Sequence, residues 1–163
     1  MKKIAFFITL VILTAIISLE SHGQVKVVDG DSLEQGNTRI RLIGIDAPEY
    51  LQYCYDKNSN KYRCGIKSTE YLQSLVDDQT SCTYHGKDRY DRYLGECFNK
   101  DGININKQMV KSGWAVSYDN YYNDAETTAK ESKSGIWQGK FMRPELYRAL
   151  NRSKDKHKKN KKI

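Results

Sequence analysis

From Gln24 to Ser32, Val25 and Val27 fall on one face of an extended chain, with Leu33 just beyond them. From Thr38 to Ile45, Ile40 and Leu42 alternate with Arg39 and Arg41 before the run thickens to Ile43-Gly44-Ile45. Alternation of this kind is the period of a half-buried strand, and the intervening Gly36-Asn37 predicts a hairpin turn. Gly44 marks a bulge or a close backbone approach, and Pro48 stops the second run. A loop, Tyr50 to Arg63, separates it from a change of period. Ile66, Thr69, Leu72, Leu75 and Val76 share one face of a predicted helix over Gly65–Asp78. Ser81–His85 and Tyr93–Phe98 predict a second hairpin around Gly86–Arg92. Asn104 caps a short helix, Ile105–Ser112, which Gly113 ends. Trp114–Tyr118 reads as extended and Asn123–Ser134 as a last helix, with Ile136 and Trp137 packing back on the domain. Strands first, then helix, hairpin and helices predict one α+β domain, with no repeat or Pro-rich linker.

The two ends of the 163-residue chain read differently. Lys2 and Lys3 precede a charge-free apolar run, Ile4 to Leu19, and small residues follow at Ser21 and Gly23. That pattern predicts a secretory signal over residues 1–23, cut before Gln24. The alternative is an uncleaved membrane anchor, although the run falls short of the ~20 apolar residues a spanning helix uses. The whole chain carries +7. Two lysines against Glu20 account for one of those charges. Arg152 and six lysines against Asp155 account for six more within residues 151–163. The domain proper, residues 24–150, is therefore neutral, and its composition shows no nucleic-acid surface. The Lys-rich end reads as a disordered basic tail, either a plain solvated terminus or an arm that speeds encounter with polyanions or anionic lipid.

Four cysteines follow the signal, and disulfides are the default for an even set in an exported chain. Three pairings are possible. Cys82 and Cys97 lie symmetrically about the Lys87–Arg92 turn, which favours that pair and leaves Cys54 with Cys64. Zinc is disfavoured, since there is no Cys-x-x-Cys and His is scarce.

Chemistry concentrates at the first hairpin. Val27-Val28-Asp29-Gly30-Asp31-Ser32 ends in acidic residues, and Arg39–Glu49 carries Arg41 and two carboxylates, Asp46 and Glu49, flanking Pro48. A hairpin pairing would bring Asp31, Arg41, Asp46 and Glu49 to one patch. Carboxylates suit a hard divalent cation and guanidinium suits phosphate. Taken singly, each has a plainer reading: a strand-face charge, a turn carboxylate, an acidic turn, a solvated loop arginine.

Taken together, Asp-Gly-Asp-Ser, then Arg-Leu-Ile-Gly-Ile-Asp-Ala-Pro-Glu, then Asp88-Arg89-Tyr90-Asp91-Arg92 resemble the staphylococcal (micrococcal) nuclease family over about Val25 to Trp137. The resemblance implies a five-stranded OB-type β-barrel, a Greek key, with three packed helices. It implies hydrolysis of DNA and RNA with little base preference, leaving 3′-phosphate ends, and Ca2+ as cofactor. Arg41, Glu49 and Arg92 fall on the family's catalytic set. Asp31, Asp46 and the main-chain carbonyl of Ala47 fall on its calcium ligands, whereas Asp29 matches an aspartate that is not a direct ligand. Tyr90 matches a substrate-side tyrosine. Arg89 and Tyr118 are assigned to substrate, and Tyr118, Tyr121 and Tyr122 are candidate stacking platforms for bases or, alternatively, packing residues. The expected protein is an exported monomer, periplasmic, secreted or anchored, with nucleic acid as its only implied partner. The alternative is a non-catalytic OB module that binds nucleic acid.

The chain also departs from the staphylococcal enzyme. Its first hairpin is shorter, and its cysteines are absent there but familiar among bacterial relatives. Asp91 stands where that loop often has glycine, which predicts a pairing with Arg89 or Arg92 that would weaken phosphate binding.

Overall fold

A computed structural model describes residues 24–160; the expected signal, 1–23, and the last three residues lie outside them. The chain starts as an antiparallel meander of β1 (Val25–Asp29), β2 (Ser32–Gln35) and β3 (Thr38–Leu42). The expected first strand is thus two strands, folded back at Gly30-Asp31. Gly36-Asn37 turns β2 into β3 and sets the register that places Ser32 opposite Arg41. Along β3, Ile40 and Leu42 are buried while Arg39 and Arg41 point to the other face. Gly44 then takes φ +75°, with Tyr121 so close that a Cβ there would lie 2.4 Å from the tyrosine's own. Only glycine fits that kink without strain. The chain resumes as β4 (Ile45–Asp46).

The loop that follows holds a small ribbon, β5 (Cys54–Tyr55) and β6 (Lys61–Tyr62), closed by the Cys54–Cys64 disulfide. Closing a loop of this length contributes about 3 kcal/mol. Helix α1 (Cys64–Leu75) lies against β1. Its innermost residues are Gly65, Ser68 and Leu72; Ile66, expected on the buried face, is only half-buried. A Cβ at Gly65 would lie 1.8 Å from the Glu49 carbonyl oxygen, so small residues let the helix sit directly on the site's backbone.

β7 (Ser81–Lys87) and β8 (Tyr93–Phe98) form the second hairpin, with Cys82 directly opposite Cys97 and disulfide-bonded to it. β8 runs parallel to β3, giving one mixed five-stranded sheet in the order β1-β2-β3-β8-β7. Helix α2 (Ile105–Lys111) starts at Asn104, whose side chain accepts the Lys107 N–H at 2.9 Å. Buried Asn106 pins the sheet together, donating to the carbonyls of Ile43 and Gly95 and accepting from Cys97 N–H. β9 (Val116–Ser117) pairs with β4, and α3 (Asn123–Glu131), one turn of 3-10 helix (Gly135–Gln138) and α4 (Pro144–Asn160) complete the chain.

Leu33, Ile40, Leu42, Ile45, Leu72, Ile105, Met109 and Val110 form the main core, and the Cys54–Cys64 bridge packs with Val116 and Ile136 in a smaller one. Three expectations need correction. Among the described residues the sheet is open rather than a closed barrel: the kink at Gly44 diverts β4 to a separate ladder with β9, and β1 and β7 are left as edges. The described residues hold four α-helices, not three. Residues 151–160 are helical, because Lys and Arg are good helix formers and no Gly or Pro interrupts α4.

Candidate active site

The floor of the site is the meander. Asp31 sits in the β1–β2 turn, where its Oδ2 accepts the Ala47 N–H at 2.8 Å and its Oδ1 accepts the Ser32 hydroxyl at 3.2 Å. Arg41, across the ladder, pairs through Nη1 with Asp31 Oδ1 and donates from Nη2 to Asp46 Oδ1 at 3.0 Å and to the Ile45 carbonyl at 3.2 Å. Both aspartates are almost fully buried, at 4% and 2% exposure, so each needs a cationic partner to stay ionised. Burial pulls the Arg41 guanidinium below its ordinary pKa, with Asp46 working the other way; it remains a cation at any physiological pH. Glu49 emerges beyond Pro48, half-exposed. Its N–H donates to Oε1 of buried Gln52 (3.2 Å), and the Gln52 amide donates to the Met142 carbonyl at 2.7 Å.

One wall is the loop between β7 and β8, organised by Asp88. Its Oδ1 accepts the N–H groups of Tyr90 and Arg92, and its Oδ2 accepts Nε of Arg92 at 2.9 Å and pairs with Nη2 at 2.7 Å. Burial opposes ionisation here, but those hydrogen bonds hold the Asp88 carboxyl below the usual carboxylate range. Arg92 turns its remaining Nη1 to the Ser32 hydroxyl at 3.4 Å, and that hydroxyl donates on to Asp31. Arg92 therefore joins the floor through one side chain. The Arg89 and Arg92 guanidinium groups lie 4.9 and 5.7 Å from the ring centre of exposed Tyr90. Asp91 pairs with neither arginine: it binds Lys87 Nζ at 2.7 Å. Its φ of +61° explains why a glycine suits the same place, and points its carboxylate back along β7.

The other wall is α4, which contributes a residue that sequence reasoning missed. Arg148 donates from Nη1 and Nη2 to both oxygens of Asp46, at 2.8 and 3.0 Å, and from Nη1 to Glu49 Oε1 at 2.9 Å. Burial works against its charge, but the bonds to Asp46 and Glu49 outweigh that and raise its pKa. No motif surrounds Arg148. Pro144 at the first helical position with Glu145 in the first turn is a start signal that could have revealed the helix, but not its aim. Asp88 was legible only as part of a motif, and Ser32 only as the end of one.

These elements enclose a cleft of about 810 Å³. Tyr118 and Tyr121 line it and are exposed. Tyr122 is a packing residue instead: half-buried against the core, it donates to Glu96 at 2.9 Å, and burial with that bond raises its pKa. Arg41, Arg89, Arg92, Arg148 and Arg152 face six carboxylates around the cleft, so it is not a net-positive receptor for a polyanion. The donors around Asp31, Asp46 and the Ala47 backbone are all oxygen, which fits a hard cation such as calcium and not zinc. Among the described residues, however, no three such side chains converge in the spacing of a metal site, because the carboxylates meet through arginines.

The family described as Staphylococcal nuclease homologue matches residues 39–139. The chain is 39% identical over 122 residues to the succinoglycan biosynthesis protein ExoI of Rhizobium meliloti, covering 71% of this chain and 64% of that one. It is 34% identical over 148 residues to an uncharacterized endonuclease of Escherichia coli, covering 84% of this chain and 90% of that one. Endonuclease YhcR of Bacillus subtilis is 33% identical over 132 residues, 69% of this chain and 11% of its own length.

Proposed function

The chain belongs to the staphylococcal nuclease family, and from that premise we propose that it is an exported, calcium-dependent nuclease. It hydrolyses phosphodiester bonds of DNA and RNA with little base preference and leaves 3′-phosphate ends. The relatives from Escherichia coli and Bacillus subtilis are named endonucleases. The observation that carries the reading is the meeting of Arg41, Arg92, Asp31 and Glu49 at one cleft from three separate segments, with buried Asp46 bound to Arg41 beneath them. Two disulfides accord with export.

Each group has work suited to its place. Arg41 on β3 and Arg92 in the β7–β8 loop approach from different segments and grip the non-bridging oxygens of the phosphate as paired donors. Their charge is held in place before substrate arrives, which is what makes such donors effective as negative charge builds up on the phosphate. Glu49, the carboxylate with a solvent-facing edge, orients and deprotonates the attacking water. Calcium, held by Asp31, Asp46 and the Ala47 carbonyl, supplies Lewis-acid charge at the phosphate when bound. Tyr90, Tyr118 and Tyr121 stack on flanking bases, and because every base has a π-face this selects weakly among them. The balance of charge around the cleft supports cation dependence, since added positive charge is needed before a polyanion can enter.

The pairing of Asp31, Asp46 and Asp88 with arginines also fits a second reading, a non-catalytic module that binds nucleic acid and whose acidic residues serve only to hold arginines. Plasmid digestion separates the two. Cleavage that needs calcium, stops with chelator, and falls at least about a hundredfold in Glu49→Ser and Arg92→Ala supports the nuclease. Binding without cleavage establishes the module.

A further inference from the structure

Asp46 is the most buried carboxylate of the site, at 2% exposure, and its oxygens are spoken for. Oδ1 accepts from Arg41 and from Arg148, and Oδ2 accepts from Arg148 at 3.0 Å. The two arginines are held in different ways. Arg41 belongs to β3, whose ladder and buried neighbours leave it nowhere else to go. Arg148 belongs to a helix along which no other strand or helix of the described residues packs extensively. Leu146 and Leu150, the apolar residues on either side of it, are 53% and 40% exposed. The tether of α4 lies at its start, where Pro144 is buried and Gln52 holds the Met142 carbonyl. Beyond that tether, the contacts to Asp46 and Glu49 fasten the helix to the site.

Charge reinforces the geometry. Asp31, Asp46 and Glu49 are three carboxylates facing two guanidinium groups, Arg41 and Arg148, while Arg92 is already balanced by Asp88. A divalent cation added with both arginines in place would leave the group net positive and crowd three donors onto one buried carboxylate. With Arg148 withdrawn the same group is neutral. When a phosphodiester then joins, its single negative charge restores a place for one guanidinium. Arg152 lies four residues further on, one turn along the same face, and lines the same cleft.

We propose that Arg148 is a displaceable counter-ion: it and a divalent cation hold Asp46 in turn, and the cation that displaces it frees the Arg148–Arg152 face of α4 to grip substrate phosphate. This deepens the calcium-dependent nuclease reading and rests on it for the identity of the cation. Cation binding and substrate binding are thereby coupled through one helix, since the cation removes the arginine from Asp46 and makes it available to phosphate. The coupling requires opposite effects from one substitution. Removing Arg148 takes away a competitor of the cation and a partner of the phosphate.

The test uses the full chain and calcium chloride alone, by isothermal titration without nucleic acid. Arg148→Ala binds calcium about tenfold more tightly than the wild type, because Arg148 no longer has to vacate Asp46 first; Arg148→Gln, which keeps the length of the side chain, shifts in the same direction. In the wild type, calcium speeds amide hydrogen exchange across residues 147–153 and leaves β3 protected. A phosphorothioate single-stranded oligonucleotide, measured at saturating calcium, binds more weakly to both variants. Equal or weaker calcium affinity in the variants overturns the proposal, as does the absence of calcium binding in every form, or oligonucleotide binding that does not fall. Plasmid digestion is read separately. Calcium-dependent cleavage with unchanged calcium affinity in Arg148→Ala sinks the counter-ion and spares the nuclease, whereas the reverse result sinks the nuclease and spares the counter-ion.

Discussion

Two arginines hold the same carboxylate, and the regions that deliver them are built on opposite principles. Arg41 comes from β3, where Ile40 and Leu42 anchor the strand in the core and Ser32 stands opposite in register. Arg148 comes from α4, whose flanking leucines are exposed and whose grip on the domain is largely the ion pairs themselves. A group on a packed strand keeps its position whatever binds nearby. A group on a lightly docked helix can exchange one anion for another, at the low-stability end of the molecule where moving parts are found. The site combines a fixed floor with an exchangeable wall.

The largest expected effect attacks the floor. Arg41→Ala leaves Asp31 and Asp46 buried with one cationic partner fewer and costs about 3 kcal/mol of stability. Arg148→Ala, at a half-exposed position, costs under about 1 kcal/mol. Urea unfolding of both variants checks the contrast, and equal losses would erase the distinction between the two regions. Next comes Gly65→Ala, which pushes a methyl group into the Glu49 carbonyl. It destabilises by about 2 kcal/mol through overpacking and displaces Glu49, so thermal stability and cleavage fall together; a variant as stable and active as the wild type would show that α1 does not brace the site.

The smallest effect concerns the other wall and depends on pH. Asp88 is depressed in the folded state, so its contribution to stability is complete above the unfolded value of about 3.9 and is lost as pH falls through the lower folded value. The stability gap between wild type and Asp88→Asn should stay constant above about pH 5 and close progressively toward about pH 2. Chemical denaturation at several pH values measures it, and a gap independent of pH would mean that the carboxylate charge does not hold Arg92.

Most of the floor could be read from the chain itself. Ile40 and Leu42 alternate with Arg39 and Arg41, Gly36-Asn37 supplies a turn, and a two-residue period then decides which side chains face the cleft. Asn104 and Gly113 bracket α2 by cap chemistry that is local to the backbone. The Cys82–Cys97 pair follows from the symmetry of a hairpin. The walls were less legible. Asp91 was expected to turn on the neighbouring arginines, but its positive φ swings it to Lys87, and Asp88 takes Arg92 instead. Tyr118, Tyr121 and Tyr122 are close in sequence, yet the approach of Tyr121 to Gly44 leaves only Tyr122 turned to Glu96.

What the order of residues determined alone is the α+β character, the Gly36-Asn37 hairpin that gathers Asp31 and Arg41, and the run that carries Asp46 and Glu49 beyond it, because these depend on period, turns and caps over a few residues. Tertiary structure alone decided that the sheet stays open at Gly44, that the expected first strand folds back at Gly30-Asp31, and that Arg148 reaches a carboxylate 102 positions away. That last contact has no local signature. It exists because a neutral domain buries two aspartates side by side, and an unpaired charge in its interior draws in whichever guanidinium the fold brings near.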